Sequence, residues 1–220
     1  NRRLARPARA RPLKAPFDRG LFRTPVKALQ GRLARWEKSL LASDSRLTKV
    51  LALSFDETAS ASAGVSTAGV GVEDRSTSVS FSLEIMAESG GETHVAWDWR
   101  RAPAWRALDP EPLMEGNRLR LLSAFGAEPL PTGTYPVLFD PRTGGDVLDF
   151  LAAALSGEAV RKGQSFLADK KGRRVASAAV TLVDDGRLPG GAASSAYDDE
   201  GVPSSRRVLV SRGLLKGFYY

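Results

Sequence analysis

The stretch from Gly145 to Leu167 constrains the fold most, because it combines a helix start, an apolar stripe and a stop signal. Asp146 is the predicted N-cap, since its carboxylate can accept the free amide hydrogens of a first helical turn. Gly157 is the predicted end, because glycine tolerates the left-handed backbone that closes many helices. Apolar residues recur at helical spacing between them: Val147, Leu148, Leu151, Ala154 and Leu155. The pattern predicts a short buried helix that follows a strand over 135–139 and a turn over 140–145.

Two further kinds of pattern surround this helix. Apolar and polar residues alternate over 76–88, and this period of two predicts a strand with one wet face. Three- and four-residue spacing predicts an amphipathic helix that begins at Thr24-Pro25, with Thr24 as its cap, and ends near Ala42. The remaining predictions are strands over 49–55, 93–99 and 178–183, a helix over 113–125, and a hairpin of 206–210 with 214–220. Residues 65–72 form a run of small residues punctuated by glycine. Meandering strands favour antiparallel pairing, so we expect an α+β fold of antiparallel β-sheets with a few packed helices.

The surplus of positive charge lies at one end of the sequence. The formal net charge is +7, and residues 1–16 supply six of these charges with no acidic residue. Such an arm can neutralise the phosphates of a nucleic acid, or it can be a solvated linker rich in arginine, alanine and proline. No aromatic residue interleaves the arginines before Phe17, which favours the linker and argues against nucleic acid as a partner. We therefore divide the sequence into a basic arm (1–20), a helix and strand-rich middle region (21–112) and a C-terminal region (113–220).

Composition also bears on the compartment. The hydrophobic fraction of 42% suffices for a core, yet no apolar run approaches the roughly 20 residues that a membrane helix needs. No signal peptide is recognisable, and the sequence has no cysteine with which to form a disulfide. We expect a cytoplasmic protein without a membrane segment.

Several segments of the C-terminal half carry a resemblance to a known family. They are SGEAVRKGQSFL at 156–167, AAVTLVDD at 178–185, GGAASSAYDDEGVP at 190–203, RVLV at 207–210 and GLLKG at 213–217. In this order they resemble the TldD/PmbA family, the "modulator of DNA gyrase" proteins that are regarded as metalloproteases. The resemblance is good from about Asn117 to Tyr220 and weaker back to about Thr24. Family members are about twice this length, so the resemblance implies an internal or incomplete piece of such a protein.

The resemblance also aligns the predicted helix with the family's zinc motif, His-Glu-x-x-x-His. In catalytic members the two histidines bind zinc and the glutamate serves as the base. The shared Leu-x-Gly-x-Ala-Val end of the helix places this motif on Leu148, Asp149 and Ala153. Leucine and alanine carry no ligand atom, aspartate is one methylene shorter than glutamate, and the further cysteine ligand of catalytic members is absent. The resemblance therefore implies the PmbA (TldE-like) branch, with no catalytic residue, metal ligand or cofactor of its own and with zinc only in a catalytic partner.

The other polar candidates each allow two interpretations. His94 has no second histidine or cysteine at ligand spacing, so a hydrogen-bonded strand histidine is the better interpretation. The acidic clusters at 184–185 and 198–200 could supply oxygen ligands to a hard cation, but paired acids before glycine also form turns, which we favour. By resemblance, the second acidic loop borders the cleft of catalytic relatives. The residues predicted to line a peptide cleft or form a structural loop are Asp149, Ser165, Asp199, Glu200 and Gly201.

The resemblance implies a non-catalytic PmbA/TldE-like subunit of a zinc peptidase complex that acts on unstructured peptides. The expected partner is a TldD-like catalytic subunit, or a second copy in a dimer. Segment 213–220 is expected to expose a sheet edge and three aromatic rings, which would favour association. Two alternatives stay open. One is a stand-alone metallopeptidase-like hydrolase with a non-standard site, which a bound metal would favour. The other is a nucleic-acid-associated protein that uses the basic arm, which a steep salt dependence of binding would favour.

Overall fold

The computed structural model describes residues 13, 17–189, 191 and 193–220. Helices and strands are grouped along this part of the chain, and the strands form two three-stranded antiparallel sheets, which confirms the α+β prediction. The elements are α1 (Val26–Ser43), β1 (Leu47–Val65), β2 (Gly71–Ser89), β3 (Glu92–Ala102), a 3-10 turn (Trp105–Ala107), α2 (Glu111–Leu122), α3 (Pro141–Leu155), α4 (Gly157–Arg161), β4 (Leu182–Asp185), β5 (Arg206–Ser211) and β6 (Leu214–Leu215). Most of the predicted basic arm lies outside the described residues.

The chain divides into two compact units. The first comprises residues up to Leu130 together with Pro189–Val202, and the second comprises Pro131–Leu188 together with Pro203–Tyr220. None of the helices in the described part of the chain is both long enough and apolar enough to span a bilayer.

The first unit is built on an antiparallel sheet in the order β1-β2-β3. The alternation predicted for β2 is confirmed, because every second residue of its central part is almost inaccessible to solvent: Val79, Phe81, Leu83, Ile85 and Ala87. Residues of α1 and α2 complete the same apolar cluster, so both helices cover this inner face of the sheet. Strand β1 ends at Val65, and the amide of Ser66 donates to the carbonyl of Val70 in the turn that connects it to β2.

Helix α1 begins one residue later than predicted, with Pro25 at its N-cap position and no side-chain cap from Thr24.

Helix α2 is held against the sheet by a buried polar side chain. Asn117 is fully buried, and its amide nitrogen donates to the carbonyls of Leu83 and Ala96 at 3.5 and 3.2 Å. Because a buried amide needs such partners, Asn117 fixes α2 against two strands at once.

The second unit packs α3 and α4 beside a small antiparallel sheet in the order β4-β5-β6. Its buried cluster joins the end of α3 to the strands that follow: Ala154, Leu155, Leu167, Leu209, Val210 and Leu215. The strand predicted over 178–183 is shifted to Leu182–Asp185.

Helix α3 differs from its prediction at both ends. It begins at Pro141, where proline suits the first helical position, and the carboxylate of Asp140 accepts from the amide of Thr143 at 2.7 Å. Asp146 therefore lies inside the helix and is not its N-cap. Residues 135–139 do not form the predicted strand, and most of the predicted turn at 140–145 is the first part of α3. The chain leaves α3 through the extended residue Ser156, and Gly157 begins α4 without a left-handed backbone.

The end of the described chain is packed more closely than predicted. The hairpin turn at Arg212-Gly213 is confirmed, but β6 has only two residues. Phe218 and Tyr219 pack against the buried cluster instead of being exposed, and the amide of Tyr219 donates to the carbonyl of Leu155 at 3.1 Å. The prediction of three exposed rings was therefore wrong for two of them.

Candidate functional site

Helix α3 carries the three positions that the resemblance aligns with a zinc motif. Leu148, Asp149 and Ala153 are all exposed, whereas Ala154 and Leu155 turn into the buried cluster. The buried-helix prediction was thus correct for the last turn and wrong for the first two-thirds. Replacing any of the three exposed side chains would not disturb the core of this unit.

The residues at these positions do not fit a zinc ion. Zinc in proteins is held by sulfur, imidazole or carboxylate donors, usually four in a tetrahedron. Leu148 and Ala153 contribute no donor atom, which leaves the single carboxylate of Asp149. Among the residues that the structure describes, no group of three or more histidine, aspartate or glutamate side chains could hold a metal ion. No step of a reaction can be assigned to zinc at α3.

The second unit exposes a large set of apolar side chains on α3 and on the segment before it. We call this set the α3 apolar surface: Tyr135, Val137, Leu138, Phe139, Val147, Leu148, Phe150 and Phe166. Leu138 is 97% exposed and Phe150 is 70% exposed. The rings of Phe150 and Phe166 are stacked, with centroids 6.4 Å apart and an interplanar angle of 21°. Exposed aromatic and aliphatic groups in this number favour an interaction site.

Ser165 is a buried link between two elements of the second unit. Its hydroxyl donates to the carbonyl of Ala154 at 2.5 Å and accepts from the amide of Leu167 at 3.1 Å. Both hydroxyl partners are backbone groups, so the side chain holds the segment after α4 against the end of α3. This geometry gives Ser165 a structural contact and leaves its predicted place beside a peptide cleft as a hypothesis.

The acidic loop at 198–202, which belongs to the first unit, forms a closed turn. The carboxylate of Asp198 accepts from the amides of Glu200 and Val202 at 3.0 and 2.8 Å, and the amide of Asp198 donates to the carbonyl of Val202. Asp199 and Glu200 are exposed. Gly201 is buried with φ of +79°, and a β-carbon there would lie 2.5 Å from Cγ1 of Val70. These contacts are those of a structural turn, and the predicted place of Asp199, Glu200 and Gly201 beside a peptide cleft stays a prediction.

The other acidic pair is also explained by structure. Asp184 and Asp185 end β4 and lie opposite Arg207 and Arg206 of β5. The carboxylate of Asp185 accepts from the amide of Arg187 and lies 3.6 Å from Nε of Arg206. The prediction that both residues lie in a loop was wrong, because cross-strand charge pairing extends the strand over them. His94 likewise has a partner, with Nε2 2.9 Å from Oε2 of Glu92.

Two groups of exposed residues were missed by the sequence patterns. Phe150 was missed because it lies off the apolar stripe predicted for α3. The exposed apolar residues of 135–139 were missed because this run was assigned to a strand. Trp97 and Trp99 were assigned to β3 without regard to the face on which they lie, although their spacing of two indicates a shared face. Both tryptophans are about half exposed, at 47% and 53%.

Comparison with known proteins gives a family to which these features can be related. Residues 132–220 match the family model described as the PmbA/TldA metallopeptidase C-terminal domain. A metalloprotease of Methanocaldococcus jannaschii is 35% identical over 107 residues, which are 48% of this chain and 23% of that protein. A metalloprotease of Methanothermobacter thermautotrophicus is 30% identical over 74% of this chain and 37% of its own length. Metalloprotease PmbA of Escherichia coli O157:H7 is 27% identical over 83% of this chain and 41% of its own length. The chain therefore spans less than half of these relatives.

Solved structures share the fold across almost the whole chain. A crystal structure from Bacteroides thetaiotaomicron, described as a candidate modulator of DNA gyrase, has a TM-score of 0.91 at 23% identity and covers 99% of this chain. TldE from Thermococcus kodakarensis has a TM-score of 0.76 at 24% identity and the same coverage of this chain. This chain covers 51% and 49% of those two chains.

Proposed function

Because the chain belongs to the TldD/PmbA family, we propose that it is part of a non-catalytic, PmbA/TldE-like cytoplasmic subunit of a zinc peptidase complex that acts on unstructured peptides. The observation that carries this proposal is the composition of the exposed face of α3. The helix is kept, with its last turn buried, while its motif positions hold Leu148, Asp149 and Ala153.

The chemistry of these positions supports a role other than catalysis. A zinc peptidase needs the metal to polarise the peptide carbonyl and to lower the pKa of the attacking water. Neither an aliphatic side chain nor a lone carboxylate supplies this. A zinc ion held by a TldD-like partner subunit would supply the hydrolytic step, and this chain would contribute binding surface.

The α3 apolar surface supports the partner. Exposed aromatic and aliphatic side chains cluster where catalytic relatives carry their reactive residues, and interfaces favour large aromatic groups of this kind. Phe150 and Phe166 would form its centre, because their rings are stacked and both are more than half exposed. The proposed occupant of this surface is the catalytic TldD-like subunit. Association with a second copy is the alternative, which the same experiment distinguishes.

The test combines assembly with activity. Light scattering coupled to gel filtration should give a mixed complex of this protein with the TldD-like relative from the same organism. Zinc analysis should find metal in the mixture and none in this protein alone. Cleavage of an unstructured peptide should require the relative and should increase when this protein is added.

Two results would contradict the proposal. One is a tightly held zinc ion together with peptide cleavage by this protein alone, which would favour the hydrolase alternative. The other is a protein that stays separate from the relative at micromolar concentration. If the protein forms a homodimer and does not bind the relative, its partner is a second copy, and the proposed catalytic partner is wrong.

A further inference from the structure

Positive charge is concentrated in the second unit of the described chain. Residues 131–188 and 203–220 include twelve lysines and arginines against seven acids, whereas residues 17–130 and 189–202 include fourteen against eighteen. The two units therefore carry net charges of opposite sign. Half of the cations of the second unit lie in two short segments, and we call these six residues the cationic surface: Lys170, Lys171, Arg173, Arg174, Arg212 and Lys216. All of them except Lys170 are exposed.

Backbone hydrogen bonds hold the two segments of the cationic surface side by side. The amide of Gly172 donates to the carbonyl of Leu215 at 2.8 Å, and the amide of Leu215 donates to the carbonyl of Arg173 at 3.0 Å. Arg174 lies opposite Leu214 in an antiparallel bridge. Paired strands lie about 4.8 Å apart, so cations that are distant in the sequence are gathered on two adjacent pieces of backbone.

The cations of this surface lack acidic partners. In the second unit, ion pairs join Lys162 to Glu158 and Arg206 to Asp185. None of the six residues of the cationic surface forms an ion pair with any residue that the structure describes. Asp169, the nearest acid in the sequence, is exposed and is not paired with them. Like charges gathered without counter-charges repel one another, and a bound anion would relieve this repulsion.

The backbone of Arg212 has a conformation that arginine rarely adopts. Its φ of +46° lies in the left-handed region, where glycine and asparagine are favoured. Its carbonyl accepts from Nη1 of Arg174 at 3.4 Å, so a second guanidinium lies beside this turn. Residues held in such conformations concentrate at binding and catalytic sites. A cation at a turn position that suits other residues favours a role for its charge.

The cationic surface borders the α3 apolar surface. Phe166, which is stacked on Phe150, is four residues before Lys170, and the amide of Lys170 donates to the carbonyl of Leu167 at 3.0 Å. Four residues span about 14 Å at most, and the turn at Leu167 shortens this distance. A molecule bound by the cations would therefore lie at the edge of the surface that we assign to the catalytic subunit.

The groups that this surface offers match the carboxylates of a peptide. Arginine binds a carboxylate through two parallel hydrogen bonds. An extended peptide places alternate side chains on one side, about 7 Å apart, so that successive acids can meet successive cations. Single-stranded nucleic acid is bound in basic grooves where bases stack on aromatic side chains, and segments 168–176 and 209–217 contain no aromatic residue. These features favour an acidic peptide over nucleic acid.

We propose that the cationic surface binds acidic stretches of unstructured peptides and holds them at the edge of the contact with the catalytic subunit. Acidic peptides are then the preferred substrates of the complex. This inference rests on the proposed function for the fate of the peptide, whereas the binding itself is a property of this chain alone.

The first test measures the binding of fluorescein-labelled peptides to the full chain by fluorescence anisotropy. One probe is a glycine–serine peptide that carries a run of glutamates, and the other has glutamines in their place. The glutamate peptide should bind and the glutamine peptide should not. Raising NaCl from about 0.1 to about 1 M should release the glutamate peptide, because the Debye length shrinks from about 10 to about 3 Å. Equal affinities for the two peptides would overturn the proposal.

Charge-matched variants locate the binding. One variant removes three cations of the cationic surface, and its control removes three from the basic arm: Arg173→Gln, Arg174→Gln, Arg212→Asn, against Arg2→Gln, Arg3→Gln, Arg6→Gln. Because an exposed ion pair contributes modestly, the loss of three should weaken the affinity for the glutamate peptide about ten-fold. The control should keep most of the affinity. Equal losses in the two variants, or no loss in the first, would overturn the proposal.

The single variant Arg212→Asn separates binding from folding. Asparagine tolerates the left-handed backbone better than arginine does, so the melting temperature should stay unchanged or rise. The affinity for the glutamate peptide should nevertheless fall, because a cation is lost. Undiminished affinity would contradict the role given to Arg212.

Two further measurements separate the alternatives. A DNA oligonucleotide that binds more tightly than the glutamate peptide, and is released by the triple variant of the cationic surface, would reject the peptide in favour of nucleic acid. In the complex with the TldD-like relative, the triple variant should raise KM for the glutamate peptide and leave kcat unchanged. Peptide binding by a chain that forms no complex would reject the proposed function and keep this surface. A complex that cleaves the glutamate and glutamine peptides with equal KM would reject this surface and keep the proposed function.

Discussion

The α-carbon of Gly213 lies beneath the carbonyl oxygen of Ala176, so close that a β-carbon at position 213 would be 2.3 Å from that oxygen. The same glycine has φ of +79°, and its amide donates to the carbonyl of Val180 at 2.8 Å. Its carbonyl in turn accepts from the amide of Val175. The β5–β6 turn and the 174–180 segment are therefore joined at one residue, and only a residue without a side chain fits there.

We expect Gly213→Ala to lower the free energy of unfolding of the second unit by about 3 kcal/mol, since it combines left-handed strain with a clash against backbone that cannot rotate away. Gly217→Ala is the matched control, because nothing lies within 4 Å of a β-carbon there and φ is not positive. Denaturant titration of the full chain, followed by circular dichroism, measures both. Equal denaturation midpoints for the two variants would contradict this prediction, because they would show that the 174–180 segment can move away from a β-carbon at position 213 without loss of stability.

Acid should weaken the first unit through carboxylates whose pKa is lowered in the folded state. The side-chain hydrogen bond from Arg46 lowers the pKa of Asp44, that from His94 lowers the pKa of Glu92, and that from Arg118 lowers the pKa of Glu115. A carboxyl with a lowered folded pKa contributes stability above its unfolded pKa, near 4, and this stability is lost as the pH falls through the folded pKa. Melting temperatures from pH 7 to 2 should fall over this window, and less so in Asp44→Asn. An unchanged slope in that variant would contradict the assignment.

Much of the first unit could be predicted from the sequence. Its helices and its sheet each bury one face in a shared core, so apolar residues recur with a clear helical or strand period. The alternation of Val79, Phe81, Leu83 and Ile85 is the plainest case. The bounds of α3 could not be obtained in this way. Its start is fixed by the cap of Asp140 and by Pro141, which are local contacts, while the apolar residues before them imitate a strand.

The candidate site shows a similar division. That positions 148, 149 and 153 together offer only one donor group, the carboxylate of Asp149, follows from residue identity alone. The exposure of these positions could not be predicted, because an apolar stripe indicates burial, whereas most of the apolar stripe of α3 is exposed to solvent. The small contacts at Gly201 and Gly213 depend on residues distant in sequence, Val70 and Ala176, so no local pattern indicates them.

Restoring the motif should give this chain a zinc site without unfolding it. In Leu148→His, Asp149→Glu, Ala153→His, all three changes are at exposed positions of α3, so the metal-free melting temperature should move little, by the equivalent of about 0.5 kcal/mol per site or less. Zinc should then raise the melting temperature of the variant, because a ligand that binds only the folded state stabilises it. The control carries glutamine at 148 and 153 and should not respond. A variant that folds and ignores zinc would show that the two histidines on α3 do not converge on one metal ion.

The α3 apolar surface should be the contact with the proposed catalytic subunit, and Phe150 is its most informative residue. Phe150 is 70% exposed, so Phe150→Ser removes an aromatic ring that the isolated chain does not bury, and the melting temperature should stay within a degree or two. An aromatic anchor at the centre of an interface is worth about 2 kcal/mol or more, which corresponds to at least a thirty-fold loss of affinity for the TldD-like relative. Leu119→Ser is the matched control, since Leu119 is 54% exposed but lies on α2 in the first unit. Titration calorimetry of both variants decides the matter: equal affinities would remove α3 from the interface, whereas a loss confined to Phe150→Ser would assign the partner to the helix on which catalytic relatives carry their zinc motif.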